Sequence, residues 1–409
     1  ENSNSASSIS SDDVRFRPPE VTKAQQECTE KVDVYAYGLL LCEMFSGKLP
    51  FHKLDSVTAA AKAAYENLRP KIPHSLPIIL KKLISSCWSS AESERPSFHE
   101  VLKFYKHLEG KLFFSSLGGF WSLDKEQEVE RERKRLEKFD EVLAFLKERD
   151  FCIKYEELKL GEKIGEGSYS KVWEGEWAGY RVAVKKLKNK NITEKFFLRE
   201  ISSLSSLHHP NVVCFFGACV SPPCIVTEYM AGGSLYDVLH VQRVKIELSM
   251  VIKMAIDIAK GMVHFHSKNI LHRDLTSKNI LLDEFQNLKI SDFGLSREVK
   301  EFGKDLTLAG ICNPRWRPPE LTKGENQYSG AVDVYCFSLV VYEMLTGKIP
   351  FEQYDSVTAA AKAAYEGYRP PLPEDCPEKL KNLITSCWSQ DPEARPNFVE
   401  ILKTLEELQ

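Results

Sequence analysis

Three oxygen-bearing side chains lie close together in the sequence, around two short apolar runs. Asp274 and Asn279 are five residues apart in a loop before the predicted strand 280–282, and Asp292 follows the predicted strand 288–290. Amide and carboxylate oxygens suit Mg²⁺, which binds through few protein groups together with phosphates. Asn279 and Asp292 are therefore candidate magnesium ligands, and Asp274 remains to accept a proton from a hydroxyl group. Taken singly, the three residues are equally typical of a helix cap and two turns.

A glycine-containing turn lies further upstream. Gly165 and Gly167 would allow backbone N–H groups to approach phosphates closely. The third position of the pattern is Ser170 rather than glycine, and a strand at 172–173 follows instead of a helix, which argues against a dinucleotide-binding fold. A Gly-x-Gly pattern alone is also typical of a simple hairpin turn.

A lysine and a glutamate form a second candidate pair. Lys185 ends a β-branched run, and Glu200 lies on the helix predicted before the next strand. An ion pair between them would hold the ammonium group against the α- and β-phosphates of a nucleotide. A single lysine at the end of a strand is otherwise ordinarily solvated.

In this order along residues 158–409, the motifs resemble those of the eukaryotic protein kinases. The resemblance implies transfer of the γ-phosphate of ATP, with Mg²⁺, to hydroxyl groups of protein substrates. The implied catalytic residues are Asp274 as base, Lys185, Glu200 and Arg273. The implied metal ligands are Asn279 and Asp292. The implied nucleotide-binding residues are Ile164, Gly165, Gly167, Val172, Ala183, Lys185, Thr227, Glu228, Met230 and Leu281.

Within this resemblance, individual residues around the nucleotide receive roles. Thr227 is the gatekeeper, and the backbone of Glu228 and Met230 holds the adenine. The side chains that enclose the adenine are those of Val172, Ala183 and Leu281. The residues expected to stack between two lobes are Leu204, His272 and Phe293, with Asp333 beneath them.

The surrounding elements predict an α+β, bilobal fold with a cleft between the lobes. Short glycine-punctuated runs predict a small antiparallel sheet, interrupted by one helix around 193–207. The predicted strands are 158–160, 171–173, 181–184, 212–213 and 225–227. Beyond Ser234 the pattern is helical, which predicts a large helical lobe.

Part of the chain is duplicated. The dodecamer DSVTAAAKAAYE occurs at 55–66 and again at 355–366, and a shift of 300 without gaps aligns about a hundred residues. We call residues 14–110 the first repeat and 314–409 the second repeat. In the second repeat, Glu320 and Arg395 resemble the ion pair that anchors the kinase activation segment. Their equivalents in the first repeat are Glu20 and Arg95.

The first repeat is predicted to be an additional all-α, partial kinase C-lobe. Its predicted helices are 32–45, 55–66, 76–88 and 98–108. No glycine loop or catalytic motif precedes it in the sequence, so it is not expected to catalyse. It is either the end of an upstream kinase or pseudokinase, which the missing initiator Met favours, or a remnant that serves as a docking module. The identical dodecamers are candidate docking helices, although recent duplication explains their identity more simply.

The remaining segments complete the predicted organisation. Residues 1–13 are rich in Ser and Asn and are predicted to be disordered. Residues 111–153 are predicted to be a charged helical linker, and 154–409 a complete kinase domain. Five apolar side chains at near-heptad spacing suit either a single amphipathic helix, which we favour, or a coiled-coil seam. They are Val129, Leu136, Phe139, Leu143 and Leu146.

Composition narrows the choice of partners and location. The net charge of −3 disfavours nucleic acid and anionic membranes, and no apolar run of about 20 residues could span a bilayer. The start of the sequence lacks the apolar core of a signal peptide. The eleven cysteines lie among apolar neighbours without zinc-site spacing, which predicts reduced thiols in a cytoplasmic protein.

Residues near the catalytic motifs bear on which hydroxyl group accepts the phosphate. Thr276 and Lys278, after the candidate base, match neither the tyrosine-kinase nor the common Ser/Thr-kinase pattern. Asn313 stands where Ser/Thr kinases carry Thr and tyrosine kinases carry Pro, and this favours Ser/Thr specificity. The stretches 232–235 and 386–388 resemble the tyrosine-kinase-like group of Ser/Thr kinases. Dual or tyrosine specificity, and a pseudokinase scaffold that acts by binding, remain the alternatives.

Regulation by phosphorylation is a further expectation. Arg273 precedes the candidate base and would bind an anion from the activation segment. Thr307 is the main candidate for the phosphorylated residue, and Ser296 and Thr322 are weaker ones.

Overall fold

The computed structural model describes residues 13–24, 29–74, 76–109, 144–166, 170–188, 193–292, 297–298, 313–325 and 329–409. Within these ranges the chain forms two compact units. Unit one draws on residues 1–121, 302–327 and 350–371. Unit two draws on residues 122–301, 328–349 and 372–409. Unit one therefore combines the first repeat with two segments of the second repeat.

Unit one is helical in the first repeat, as the sequence predicts. Its helices there are Pro19–Thr22, Lys31–Ser46, Ser56–Tyr65, Ile78–Cys87 and Phe98–Glu109. The helix Lys31–Ser46 is apolar on most faces, but only one side lies in the core: Val34 and Leu39 are fully buried, whereas Leu40, Met44 and Phe45 are exposed. It ends at Gly47, whose φ of 64° gives the left-handed conformation common after a helix.

The second-repeat segments of unit one repeat two of these elements. They are the short helix Pro319–Thr322 and the helix Ser356–Ala361, which continues as a π-helical turn over Lys362–Glu366. In the first repeat, the Asp55 carboxylate accepts hydrogen bonds from the N–H groups of Val57 and Thr58, both at 3.1 Å. This cap and the alanines that follow it explain why the helix begins at Ser56.

Unit two contains a five-stranded antiparallel sheet followed by helices. In chain order, its strands are Lys159–Glu166 (β1), Ser170–Trp177 (β2), Tyr180–Leu187 (β3), Phe215–Cys219 (β4) and Cys224–Glu228 (β5), in the spatial order β1-β2-β3-β5-β4. The predicted helix is present at Thr193–Ser206, between β3 and β4. The larger helices of this unit are Leu248–Ser267, Ala331–Thr346, Glu378–Cys387 and Phe398–Glu406.

The alternation of side chains along β3 explains how this strand serves both a core and a cleft. Val182 and Val184 are fully buried in the apolar cluster of the sheet. Because successive side chains of a strand point to opposite faces, Ala183 and Lys185 face the other way, where they line a cavity.

A second, three-stranded sheet carries the candidate catalytic loop. Its strands are Gly233–Ser234 (β6), Ile280–Leu282 (β8) and Leu288–Ile290 (β9). Strand Ile270–Leu271 (β7) pairs with Arg297–Glu298 (β10). The bounds of β8 and β9 are those that the sequence predicts.

The predicted strand at 212–213 is wrong. The sheet strand in this region is β4, which begins at Phe215. Val212 forms a single parallel bridge with Ile290, and the amide of Val213 donates to the Ile290 carbonyl at 2.9 Å. The β-branched residues therefore join the chain to β9 at one point instead of extending the five-stranded sheet.

Several predictions fall outside the described residues. These include residues 1–12 of the segment 1–13 that was predicted to be disordered, most of the linker, and residues Gly167, Phe293, Ser296 and Thr307. Of the five linker side chains proposed for a helical seam, Leu146 is described, and it is fully buried. Among the described helices, none combines the length and the hydropathy that crossing a membrane requires.

Candidate active-site cleft

A cavity of about 550 Å³ in unit two brings the predicted nucleotide-binding residues together. Every described member of that set lines it: Ile164, Gly165, Val172, Ala183, Lys185, Thr227, Glu228, Met230 and Leu281. Glu200, Leu204, Asn279 and Asp292 line the same cavity. Residues from β1, β2, β3 and β5 thus share one space with residues from the loop before β8, from β8 itself and from the loop after β9.

Lys185 occupies the centre of the charged part of this cavity. Its ammonium group lies 2.8 Å from Oε1 of Glu200 and 2.7 Å from Oδ1 of Asp292. Burial lowers the pKa of Lys185, but the carboxylates of Asp292 and Glu200 outweigh burial and raise this pKa above its ordinary value. The lysine is therefore a fixed positive charge at neutral pH.

The candidate base and the candidate metal ligand contact each other. The amide nitrogen of Asn279 donates to the backbone carbonyl of Asp274 at 2.8 Å and to its Oδ2 at 2.9 Å. Because the nitrogen is turned to Asp274, the amide oxygen of Asn279 is the atom left for another ligand. The side chain fixes the orientation of the Asp274 carboxylate in the same contact.

The donor set fits a magnesium ion that also uses phosphate oxygens. Asp292 contributes a half-exposed carboxylate and Asn279 an amide oxygen, which are the hard ligands that Mg²⁺ prefers. Within the described ranges, no three His, Cys, Asp or Glu side chains are grouped to hold a metal ion by themselves. A cation here would need oxygen atoms from a bound nucleotide to complete its coordination.

A buried carboxylate supports the loop that carries Asp274. Asp333 accepts hydrogen bonds from the backbone N–H groups of His272, at 3.0 Å, and Arg273, at 2.8 Å. Its Oδ2 also lies 2.9 Å from Nε2 of His266. Burial raises the pKa of Asp333, but the hydrogen bond from His266 and the neighbouring charges outweigh burial and lower it. The buried group therefore stays ionised and holds the loop.

The tautomer of His272 follows from its two contacts. The backbone N–H of Asp274 donates to Nδ1 of His272 at 3.3 Å, so Nδ1 carries no proton. Nε2 then carries the proton and donates to the carbonyl of Ser291 at 3.0 Å. Burial lowers the pKa of His272, which keeps the ring neutral. The ring thus connects the loop of Asp274 to the residue before Asp292.

The segment after β5 is held at one end. The amide of Glu228 donates to the Cys214 carbonyl at 3.0 Å, and the Glu228 carboxylate lies 2.8 Å from Nζ of Lys289. Among the described residues, none accepts a hydrogen bond from the backbone N–H of Met230. This cavity-lining donor is therefore available to a ligand.

Sequence reasoning missed two of these supports. His266 and Lys289 carry no motif signal, because each acts only through a partner that is distant in sequence. The last turn of the helix Leu248–Ser267 does carry two histidines, His264 and His266. That signal alone does not identify Asp333 as the partner of His266.

One predicted phosphorylation site is contradicted by its surroundings. Thr322 is fully buried, and its hydroxyl donates to the carbonyl of Pro318 at 3.4 Å. A kinase could not reach this hydroxyl in the folded protein, so Thr322 is withdrawn as a candidate.

The predicted ion pair of the first repeat is confirmed. The guanidinium group of Arg95 donates to both carboxylate oxygens of Glu20, at 2.6 and 2.7 Å, and the two side chains are buried. Arg95 also donates to the carbonyls of Ser89 and Lys31. In the second repeat, Glu320 and Arg395 are both buried, and their pairing stays a prediction.

The chain is similar to known protein kinases in both repeats. The family model described as protein tyrosine and serine/threonine kinase matches residues 1–105 and 158–405. Dual specificity protein kinase pyk3 of Dictyostelium discoideum is 55% identical over 394 residues, which cover 96% of this chain and 29% of pyk3. An alignment of that length necessarily includes most of the first repeat.

Two further relatives match over about the length of the predicted kinase domain. Serine/threonine-protein kinase STY46 of Arabidopsis thaliana is 40% identical over 261 residues, covering 63% of this chain and 45% of STY46. The probable serine/threonine-protein kinase drkA of D. discoideum is 40% identical over 259 residues, covering 62% of this chain and 40% of drkA. The chain thus spans less than half the length of each of these relatives. The matched model covers more than half of the chain, and the chain therefore belongs to the protein tyrosine and serine/threonine kinase family.

Proposed function

We propose that the segment from Leu158 onward transfers the γ-phosphate of ATP to Ser and Thr hydroxyl groups of protein substrates. The observation that carries this proposal is the position of the Lys185 ammonium group, held by Glu200 and Asp292 at the edge of the cavity. Phosphoryl transfer asks a protein mainly to position the reactants and to neutralise charge. The chain supplies both kinds of group in one place.

In this mechanism the residues of the cleft divide the binding of the nucleotide, of magnesium and of the proton among them. The backbone of Glu228 and Met230 binds the adenine, and Lys185 neutralises charge on the phosphates. Magnesium bound by Asn279, Asp292 and the nucleotide would neutralise the remaining phosphate charge. Asn279 also orients Asp274, because it donates to the Asp274 carboxylate.

The transfer moves one proton to Asp274, forms one bond to the γ-phosphorus and breaks another. The substrate hydroxyl gives its proton to the Asp274 carboxylate as its oxygen forms a bond to the γ-phosphorus. The bond between this phosphorus and the oxygen bridging to the β-phosphate breaks, and ADP leaves. Asp333 contributes by holding the loop at His272 and Arg273, so that the base stays in reach.

Ser/Thr specificity is supported by Asn313 and by the names of STY46 and drkA. Dual specificity is the second candidate, since pyk3, which matches along both repeats, is named a dual specificity kinase. The stretches 232–235 and 386–388 support placement in the tyrosine-kinase-like group. Phosphorylation of Thr307 and a cytoplasmic location stay predictions. The reduced thiols of Cys214, Cys219 and Cys224 agree with such a location.

We also propose the domain organisation that the sequence predicts. The first repeat, 14–110, is a partial kinase C-lobe without catalytic residues, 111–153 is a linker, and 154–409 is the complete kinase domain. Three observations support this assignment of the first repeat. The first repeat is helical, the kinase family model matches residues 1–105, and the Glu20–Arg95 pair is buried.

The experiment compares the full chain with Asp274→Asn and with Asp375→Asn, an exposed carboxylate far along the sequence. With Mg²⁺, labelled ATP and a mixed protein substrate, Asp274→Asn should lower kcat by about 10²–10⁴-fold, because the base is lost. Asp375→Asn should retain the wild-type rate. Nucleotide binding, measured by calorimetry, should be similar in all three proteins.

Each other outcome selects an alternative. Nucleotide binding with the same background turnover in wild type and Asp274→Asn would contradict the enzyme and favour a scaffold. Phosphotyrosine beside phosphoserine and phosphothreonine in the hydrolysed substrate would establish dual specificity instead of Ser/Thr specificity.

A further inference from the structure

Within unit one, the two repeats contact each other through equivalent residues. Arg17 donates to both carboxylate oxygens of Asp355, each at 2.7 Å, and to the hydroxyl of Thr358 at 3.0 Å. Arg317 donates to the carboxylate of Asp55, at 2.7 and 2.9 Å, and to the hydroxyl of Thr58 at 3.0 Å. The second set of contacts is the first with the two repeats exchanged: Arg317 corresponds to Arg17, Asp55 to Asp355, and Thr58 to Thr358.

The same exchange holds at the opposite end of the dodecamers. The rings of Tyr65 and Tyr365 stack with centroids 4.7 Å apart and planes 11° apart. The hydroxyl of Tyr65 donates to Glu366 at 2.6 Å, and the hydroxyl of Tyr365 donates to Glu66 at 2.7 Å. Between the two ends lies one buried apolar cluster, formed by Val57, Ala60, Val357 and Ala360.

These reciprocal contacts indicate a local two-fold axis between the two repeats within unit one. In an isologous interface, residue i of one partner contacts residue j of the other, and residue j contacts residue i. A surface that contacts an equivalent surface in this way is complementary to itself. Unit one therefore holds two self-complementary faces against each other, one from each repeat.

The residue types show that either face could replace the other. The contact residues of the second repeat are Arg317, Asp355, Val357, Thr358, Ala360, Tyr365 and Glu366, and each equals its counterpart in the first repeat. The neighbouring residues do differ: Lys53 and Leu54 correspond to Gln353 and Tyr354. Two second-repeat faces could therefore make every one of these contacts. Two further neighbouring residues differ: Pro314 corresponds to Val14, which packs against the apolar cluster, and Gly324 corresponds to Ala24.

We propose that this face is a self-complementary pairing surface, and that a chain whose internal contact is broken pairs through it with a second copy of this chain. In the wild-type chain the first repeat covers the face of the second repeat. When the contact with the first repeat is lost, Arg317 of one chain pairs with Asp355 of a second chain, and Asp355 of the first chain pairs with Arg317 of the second. The first repeat thereby acts as a tethered partner that keeps the chain from pairing.

The test inverts the charges of one face in the full chain. Arg17→Asp with Asp55→Arg places like charges opposite Asp355 and Arg317, so the internal contact is lost. Each face nevertheless remains complementary to its own copy in another chain. Sedimentation velocity at micromolar concentration should therefore show species of at least twice the wild-type mass for this variant.

The matched control carries the same two substitutions together with Arg317→Asp and Asp355→Arg. Both faces are then inverted, opposite charges meet again within the chain, and the wild-type mass should return. A two-substitution variant with the wild-type mass would overturn the proposal, and so would a four-substitution variant that stays at the doubled mass.

A cross-linking measurement keeps the test decisive if the charge-inverted face folds poorly. Here the internal contact is weakened by the neutral pair Arg17→Gln and Asp55→Asn, which keeps a good helix cap. Tyr365→Cys is added to this variant and to wild type, and exposed Cys152 is changed to Ser in both. Because Tyr65 and Tyr365 stack across the local axis, pairing of two second-repeat faces should bring the two new thiols within reach of a short bis-maleimide cross-linker.

The bis-maleimide should then give more covalent dimer in the weakened variant than in wild type. The parent proteins without Tyr365→Cys should give none beyond background. Equal cross-linking of wild type and the weakened variant would refute pairing through this face.

Discussion

The two ends of the repeat contact carry the same ion pair in different surroundings. Arg317 and Asp55 have side chains that are 0% and 7% exposed, whereas Arg17 and Asp355 are 16% and 49% exposed. The shortest nitrogen–oxygen distance is 2.7 Å in both pairs. Because exposed ion pairs are screened by water and buried ones are not, equal geometry here predicts unequal energies.

A single difference between the repeats contributes to this asymmetry. Gly324 lies beside the buried pair with φ of 73°, and a Cβ atom there would come within 3.1 Å of Cγ2 of Thr58. The equivalent residue beside the exposed pair is Ala24, with φ of 55°. Glycine lets the chain after Pro319–Thr322 approach the partner helix more closely than alanine does. One difference between the repeats thus lies beside the buried ion pair.

The largest predicted effect comes from removing one arginine from each pair. Arg317→Met leaves the Asp55 carboxylate buried without its partner, and should lower the free energy of unfolding by about 3–5 kcal/mol. The matched variant Arg17→Met leaves a half-exposed carboxylate and should cost about 0–1 kcal/mol. Guanidinium titration followed by circular dichroism measures both. Equal costs would show that burial does not distinguish the two ends.

Acid should weaken both ends. Burial raises the pKa of Asp55, but Arg317 and Thr58 outweigh burial and lower this pKa. Burial also raises the pKa of Asp355, and Arg17 and Thr358 likewise outweigh it and lower this pKa. Because the pKa of each carboxyl is lower in the folded protein than its ordinary value of 3.8, its ionised form stabilises the fold. This contribution is fully present above pH 3.8 and is lost as the pH falls towards the lowered pKa. Stability should therefore decrease below about pH 4.

Asparagine variants assign this acid loss to each end, because asparagine still caps the helix. Asp55→Asn should flatten the dependence of the unfolding midpoint on pH more than Asp355→Asn, since its ion pair is the better shielded from water. Denaturant titrations between about pH 6 and pH 2.5 make the comparison. A wild-type acid profile in Asp55→Asn would assign the acid loss to other carboxylates.

The cleft could be predicted from the sequence far better than the repeat contact. Asp274, Asn279 and Asp292 belong to short motifs whose residues lie near one another along the chain. Asn279 and Asp292 line the cavity, and Asn279 donates a hydrogen bond to Asp274. Helix Ser56–Tyr65 was equally predictable, because Asp55 and the alanines act locally.

Contacts between distant residues gave no such signal. Arg17 and Asp355 are 338 residues apart, and the duplication indicates that two equal surfaces exist without indicating that they meet. The burial of Thr322 and the role of His266 were likewise invisible, because both depend on neighbours brought in by tertiary packing. The strand predicted at 212–213 failed for a related reason, since its β-branched residues pair at only one point.

Exchanging the residues at positions 24 and 324 tests the cause of the asymmetry. Gly324→Ala should destabilise the protein by about 1–2 kcal/mol, because an L-residue is strained at positive φ and its Cβ would crowd Thr58. Ala24→Gly relieves the same backbone strain at the exposed end and should stabilise the protein slightly. Thermal unfolding of both variants checks the opposite signs. Two effects of the same sign would reject the role assigned to Gly324.

The smallest predicted effect lies at the local axis, where the two repeats are alike. Tyr65 and Tyr365 are both half-buried, and their hydroxyl hydrogen bonds differ by only 0.1 Å, at 2.6 and 2.7 Å. Tyr65→Phe and Tyr365→Phe each remove one hydroxyl and keep the stacked rings, so each should cost about 0.5–1.5 kcal/mol.

The two tyrosine costs should be equal, in contrast to the two arginine costs. Denaturant titration of both single variants and of the double variant measures them, and the double variant shows whether the two hydrogen bonds act independently. A clear difference between Tyr65→Phe and Tyr365→Phe would mean that the asymmetry is not confined to the arginine ends. The energetic asymmetry would then extend to the local axis, and pairing of two second-repeat faces would be expected to differ in strength from the internal contact there as well.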